Sequence, residues 1–190
     1  IVEALAHLAP QAELAQTVDL VEDTLLAVND DLQQYARSEC RGETVGSTVA
    51  VMMAHGEVGV ALWAGDSRLY RVREGSLEQI TRDHNPIADL LDSGAVSEEE
   101  ALSADTNIVT RAIGGHGPLH LDIVIFDIDP ADSYLLCTDG LYREVTTHDF
   151  IAALAKNPAA AVEHLMARCL AGAAQDNVSI VMACPEREAR

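Results

Sequence analysis

Apolar residues recur at alternating spacings of four and three through Leu14, Val18, Val21, Leu25, Val28 and Leu32, which lays them along one stripe of a helix. The pattern predicts a helix over 12–37 whose stripe faces a core, with Glu13, Glu22, Asp30 and Gln34 on the other face. The residues just after Ile1 also read as helix. The polar run Ser38–Thr44, with Gly42 inside it, ends the long helix.

The texture then changes to strands. Thr48–Ala54 and Val58–Ala64 are apolar runs joined by His55-Gly56, which reads as a hairpin. Neither run alternates cleanly, so both faces are expected to be covered. Leu69–Val72 and Leu77–Ile80 flank Glu74-Gly75 and make a second hairpin. Met52, Met53 and Trp63 read as core packing.

From 82 to 117 the pattern breaks. Pro86 starts a short helical stretch with Ile87, Leu90 and Leu91, Gly94 stops it, and Ser97-Glu98-Glu99-Glu100 reads as the capped start of another helix. Asn107–Gly117 reads as a short strand or turn. Strands resume at Leu119–Asp127 and Ser133–Cys137, helices follow at Phe150–Ala155 and Ala160–Ala171 around Asn157-Pro158, and a last strand covers Asn177–Cys184. Hairpin-linked strands with segregated helices predict an α+β fold, a layered α-β-β-α sandwich of two mainly antiparallel sheets. One domain over 1–190 is expected, with a helical or flap insert around 83–117.

Composition narrows the function. There are 190 residues, 31 acidic against 12 basic side chains, and a formal charge of −19. That balance excludes a basic nucleic-acid surface and suits multivalent cations. No apolar run reaches membrane-spanning length, and no basic leader with an apolar stretch opens the chain. Cys40, Cys137, Cys169 and Cys184 are scattered, without CxxC spacing or a neighbouring His at zinc-ligand spacing. They are expected to be reduced thiols in a cytoplasmic protein. None of the seven histidines has an obvious partner, and structural or surface roles are expected for each. No nucleophile elbow, P-loop, dinucleotide fingerprint or Cys-x5-Arg loop is present.

Three aspartates stand in equivalent places. Asp66 follows the strand ending at Ala64, Asp139 follows the strand ending at Cys137, and Asp176 precedes the strand beginning near Val178. Each alone is an ordinary turn residue. In an antiparallel sheet, however, the end of one strand and the start of its neighbour share an edge, so the three carboxylates can converge at one rim. Such a cluster repels itself and persists mainly by binding cations. All-oxygen ligation points to magnesium or manganese.

Six motifs follow in order: Gly46-Ser47-Thr48, Gly65-Asp66-Ser67-Arg68, Thr81-Arg82-Asp83-His84-Asn85-Pro86, Asn107 to Gly114, Leu135 to Leu141 with Thr138-Asp139-Gly140, and Asp176-Asn177-Val178-Ser179. Together they resemble the metal-dependent Ser/Thr protein phosphatase family (PPM, or type 2C) in its compact bacterial form. The resemblance implies a two-metal centre, with Mn2+ or Mg2+, at one end of the sandwich. It implies Asp139 and Asp176 as metal ligands and Asp66 as ligand of a weaker third ion. It further implies attack of a metal-activated water on a phosphoserine or phosphothreonine, a mobile flap beside the site, a phosphorylated protein substrate and an opposing Ser/Thr kinase. Compact members resembling this chain occur in loci for type VI secretion.

Two departures stand against that frame. The family's opening motifs, which carry a phosphate-clamping Arg, a bridging metal Asp and a general-acid His, have no counterpart in these residues. Ile1 is expected to stand in or near the helix that follows them. The catalytic residues proper are therefore not assigned, and the 190 residues alone are expected to be weak or inactive. The position four after Asp139, commonly acidic in the family, is Arg143. The alternative reading is a non-catalytic module of this fold that binds or regulates another protein.

Overall fold

The switch between hydrophobic runs and Gly-containing turns lays out two hairpins that end up in different sheets. The computed structural model describes residues 1–9, 11–97, 100, 108–154, 156–172 and 176–185. Strands β1 (Val49–His55) and β2 (Val58–Ala64) form the first hairpin, and β3 (Arg68–Arg73) and β4 (Ser76–Gln79) the second. Strands β5 (Asp122–Asp127), β6 (Ser133–Cys137) and β7 (Ile180–Ala183) complete the sheets. Their orders are β1-β2-β5 and β4-β3-β6-β7, with every pairing antiparallel. The chain crosses between sheets in the short turn from Ala64 to Arg68.

Helices cover the outer faces. Helices α1 (Val2–Ala6) and α2 (Leu14–Glu39) precede β1. Val21 and Leu25 of the sequence stripe pack with Val49, Ala64 and Ile113 against the first sheet. On the second sheet, helices α5 (Thr147–Leu154) and α6 (Pro158–Ala171) pack Phe150, Leu154, Leu165 and Cys169 against Tyr70, Leu135 and Cys137. Ala61, Trp63, Leu69 and Tyr134 fill the space between the sheets. Each fully buried leucine here contributes roughly 1.5–3 kcal/mol by leaving water. The α-β-β-α sandwich expected from the sequence is present.

Several local expectations are corrected. Two helices part at Asn157 as expected, but the second starts at Pro158 rather than Ala160: Asn157 Oδ1 accepts from the Ala160 N–H at 2.9 Å, and proline fits the first helical turn, where its missing N–H would have no partner. Strand β5 starts at Asp122, and its Ile123 and Ile125 are exposed while Val124 and Phe126 face the core. β2 is buried on both faces beyond Val58, whereas most of β1 is only half-buried. Around 86–117, helix α3 (Pro86–Asp92) starts at Asn85, and Ile113 forms an isolated bridge with Ser47. Ser97 and Glu100 make reciprocal capping bonds. Glu98, Glu99 and Asn107 lie outside the described residues.

An ionic clasp joins the sheets at the end remote from the aspartate rim. Arg73 of β3 bonds Asp132 through both Nε and Nη2 at 2.7 Å and Asp127 of β5 at 2.6 Å. Asp132, with no exposed side-chain surface, also accepts from Tyr134 Oη at 2.7 Å. All four cysteines are unpaired. Among the described residues no helix is long and apolar enough to cross a membrane.

Candidate active site

Register decides where the chemistry sits. Arg68 pairs with Cys137, and Cys137 with Ile180, so the start of β3, the end of β6 and the start of β7 form one row. Asp66 lies two residues before that row and Asp139 two residues after it, while Asp176 precedes β7. All three line one cavity of about 560 Å³, together with Thr48, Ser67, Val109, Arg143 and Glu144. The sequence argument that three turns share an edge is thereby realised in space.

Local chemistry holds each turn. Gly65 has φ +119°, and a Cβ there would stand 2.4 Å from Thr48 Cγ2, so the sheet-crossing turn requires glycine. Asp139 opens the one-turn helix α4 (Asp139–Tyr142), and its Oδ1 accepts from the Gly140 N–H at 2.9 Å. A Cβ on Gly140 would meet the Asn177 carbonyl oxygen at 2.4 Å. Glycine therefore allows the Asp176-Asn177 turn to press against α4. Thr138 strengthens that contact: its Oγ1 accepts from the Ser179 N–H at 3.0 Å.

Asp66 is the buried member of the trio, 6% exposed. Burial holds its carboxyl above the ordinary carboxylate range, and the facing Asp139 and Asp83 add to the rise. Its own main-chain N–H and Arg143 oppose it. Arg143 reaches Asp139 with Nη2–Oδ2 3.4 Å. Glu144 lines the same cavity as its neighbour Arg143, although adjacency alone did not require the two to face one way.

Beneath the cavity lies a polar layer that sequence reasoning missed. Arg68 forks onto Asp83, with Nη2–Oδ2 2.7 Å and Nε–Oδ1 2.9 Å, and its guanidinium carbon stands 3.6 Å over the Tyr142 ring. Tyr142 Oη in turn donates to the Asp66 carbonyl at 3.1 Å. His84, expected to lack a partner, has one on each ring nitrogen: Gly65 N–H at 3.1 Å on Nδ1 and Asp122 Oδ2 at 3.1 Å from Nε2. Trp63 stacks on His84 at 5.9 Å and donates Nε1–H to the Arg82 carbonyl, so it does more than fill the core. The sequence marked Thr81 to Asn85 as one of its motifs, but the partners of that run are remote in the chain and nothing local names them.

The protein phosphatase 2C profile matches residues 1–171. The chain belongs to the protein phosphatase 2C family. It is 35% identical over 127 residues to the serine/threonine phosphatase stp of Listeria innocua, covering 66% of this chain and 50% of that protein. The chain thus spans about half the length of that relative. Among solved structures it resembles PppA, a key regulatory component of T6SS in Pseudomonas aeruginosa. That match has a TM-score of 0.85 and 35% identity, over 95% of this chain and 76% of the other. It also resembles the catalytic domain of the serine threonine protein phosphatase PstP in complex with 2 manganese ions, with a TM-score of 0.82 and 30% identity over the same shares.

The donor set can be tested against such ions. Carboxylates and hydroxyls are the ligands that hard divalent cations prefer. Buried Asp66 faces Asp139 and Asp83, whose charges Arg143 and Arg68 partly offset. Yet no three His, Cys, Asp or Glu side chains among the described residues are grouped so that they could hold an ion. The carboxylates fit as separate ligands along one cavity, not as a closed cage.

Proposed function

We propose that this protein is a metal-dependent phosphoprotein phosphatase that hydrolyses phosphoserine and phosphothreonine. Asp139 and Asp176 would hold Mn2+ or Mg2+, two ions in all, and Asp66 a weaker third. The observation that carries this reading is the convergence of three aspartates from three separate turns on one cavity. When bound, the ions supply charge neutralisation at the phosphoryl oxygens and lower the pKa of water. The chain's own residues orient and screen: Arg143 adds a fixed positive charge at the cavity wall, and the Thr48 and Ser67 hydroxyls, 2.8 Å apart, offer hydrogen bonds to an entering phosphate. Val109 stands at the rim, beside which a flap would act.

The substrate would be a phosphorylated protein, with a Ser/Thr kinase supplying it. The likeness to PppA supports a place in control of type VI secretion, and the wealth of unpaired thiols supports a cytoplasmic setting. A second reading, a non-catalytic module of this fold, is favoured by one observation, the guanidinium of Arg143 already paired with Asp139.

Release of phosphate from a phosphothreonine peptide, measured on the protein expressed from its complete gene, separates the two. Manganese-dependent turnover is expected, and Asp139→Asn should lower it by at least about a hundredfold by misplacing the attacking water. A protein from the complete gene that is inactive at saturating manganese would favour the module.

A further inference from the structure

His84 is 1% exposed and is not among the residues that line the cavity. It grips one residue from both sides. Its main-chain N–H donates to the Gly65 carbonyl at 2.9 Å, and its Nδ1 accepts from the Gly65 N–H at 3.1 Å. An Nδ1 that accepts leaves the ring proton on Nε2, which donates to Asp122 Oδ2 at 3.1 Å. Arg111 bonds the same carboxylate through Nη1, and the Trp63 ring lies almost parallel to the imidazole, at 15°. The ring is thus fixed in position, tautomer and tilt. Its main-chain carbonyl also accepts from the Thr110 N–H at 2.8 Å, which ties in the segment that carries Val109 to the cavity rim.

Gly65 needs such a grip. Its φ of +119° gives glycine wide freedom, and the turn it makes carries Asp66 directly into the cavity. The Gly65 N–H lies in the Ala64–Gly65 peptide, so Nδ1 holds the plane by which the turn leaves β2, while the His84 main-chain N–H holds the Gly65 carbonyl of the peptide before Asp66. Releasing the first plane frees the Gly65 torsions that aim the carboxylate. The carbonyl side of Asp66 is held independently by Tyr142.

Resting on the metal reading above, we infer that His84 is a positioning residue for Asp66: by accepting the Gly65 N–H on Nδ1 it sets where that carboxylate stands in the cavity, and Asp122 keeps the imidazole in the tautomer that can do so. The role is indirect and requires no contact between His84 and an ion or substrate.

Two substitutions separate this role from simple core filling, because asparagine places a polar atom near Nδ1 and glutamine near Nε2. His84→Asn retains an acceptor for Gly65 and loses the bond to Asp122. His84→Gln does the reverse. Manganese binding by calorimetry and thermal midpoint are measured on both, on Asp66→Asn and on the unsubstituted protein from the complete gene. His84→Gln should weaken manganese by about tenfold, the scale of losing an outer partner of a ligand, and should reproduce the binding curve of Asp66→Asn. His84→Asn should hold affinity to within about threefold even if its midpoint falls equally, on the same scale. A core-filling role alone would make affinity follow the midpoint in both, and that result overturns the inference. His84→Gln with unchanged manganese binding overturns it too, whereas an unsubstituted protein that binds no manganese overturns the metal reading and this role with it. Should both variants fail to fold, Asp122→Ala, at a half-exposed side chain, removes the acceptor that sets the tautomer. Unchanged affinity there overturns the inference, and an affinity lowered severalfold supports it.

Discussion

The Tyr142 hydroxyl donates to the main-chain carbonyl of Asp66 at 3.1 Å, so the turn after β6 holds the turn after β2. Two of the three cavity aspartates are thereby placed by one contact, since Tyr142 closes the helix that Asp139 opens. Tyr142→Phe keeps the ring under Arg68 and deletes only the hydroxyl. Stability should fall by about 1 kcal/mol, the net value of one such bond, while manganese affinity falls severalfold. Equal manganese affinity in calorimetry would show that the Asp66 turn needs no such anchor.

Arg143 competes with any ion for the charge of Asp139. A guanidinium near a divalent cation at water-like screening repels it by on the order of 1 kcal/mol. Arg143→Ala should therefore bind manganese several times more tightly and inorganic phosphate more weakly. The opposite pair of changes, read by calorimetry with each ligand, would mean that Arg143 orders the site more than it opposes the ion.

Gly140→Ala sets two effects against each other. Alanine is favoured over glycine in a helix by up to about 1 kcal/mol. Against this, its Cβ would stand 2.4 Å from the Asn177 carbonyl oxygen, which is backbone and gives little. Overpacking of this kind costs roughly 1–3 kcal/mol, so clash outweighs propensity. Net destabilisation and weaker manganese binding are expected in denaturant and calorimetric titrations, because the Asp176 turn must move away from Asp139.

Acid should unfold the protein in two stages. Burial lowers the pKa of His84 from 6.5 although the bond to Asp122 works the other way, and Arg111 and Arg82 lower it further. Its stabilising contribution is complete above the unfolded value and is lost as pH falls below 6.5, because the unfolded chain takes up the proton first. Burial would raise Asp132, but bonds from Arg73, the Asp129 N–H and Tyr134 hold it down to about 2 against an ordinary 3.8. Its contribution is complete above 3.8 and is lost as pH falls toward 2. Denaturant midpoints followed against pH should show both stages. His84→Asn should remove the upper one, and Asp132→Asn should shrink the lower one, to which Asp149, also held down to about 2 by the Thr146 N–H and hydroxyl, contributes as well. A profile flat from pH 7 to 5 in the unsubstituted protein would contradict the neutral His84.

The helix stripe from Leu14 to Leu32, the two hairpins and the three aspartate turns were legible in the sequence because each depends on local periodicity or turn chemistry. The α+β sandwich followed from their order. Even the shared rim was foreseeable, since antiparallel pairing brings strand ends and starts together. Tertiary structure alone decided which β5 residues face the core, because alternation gives a period but not the covered side. It alone turned Arg143 and Glu144 toward one cavity, and it alone gave His84 its partners. Those partners, Gly65 and Asp122, stand 19 and 38 residues away, just after β2 and at the start of β5. A buried polar group is satisfied by whatever the folded chain brings within about 3 Å, and no spacing along the sequence records that encounter.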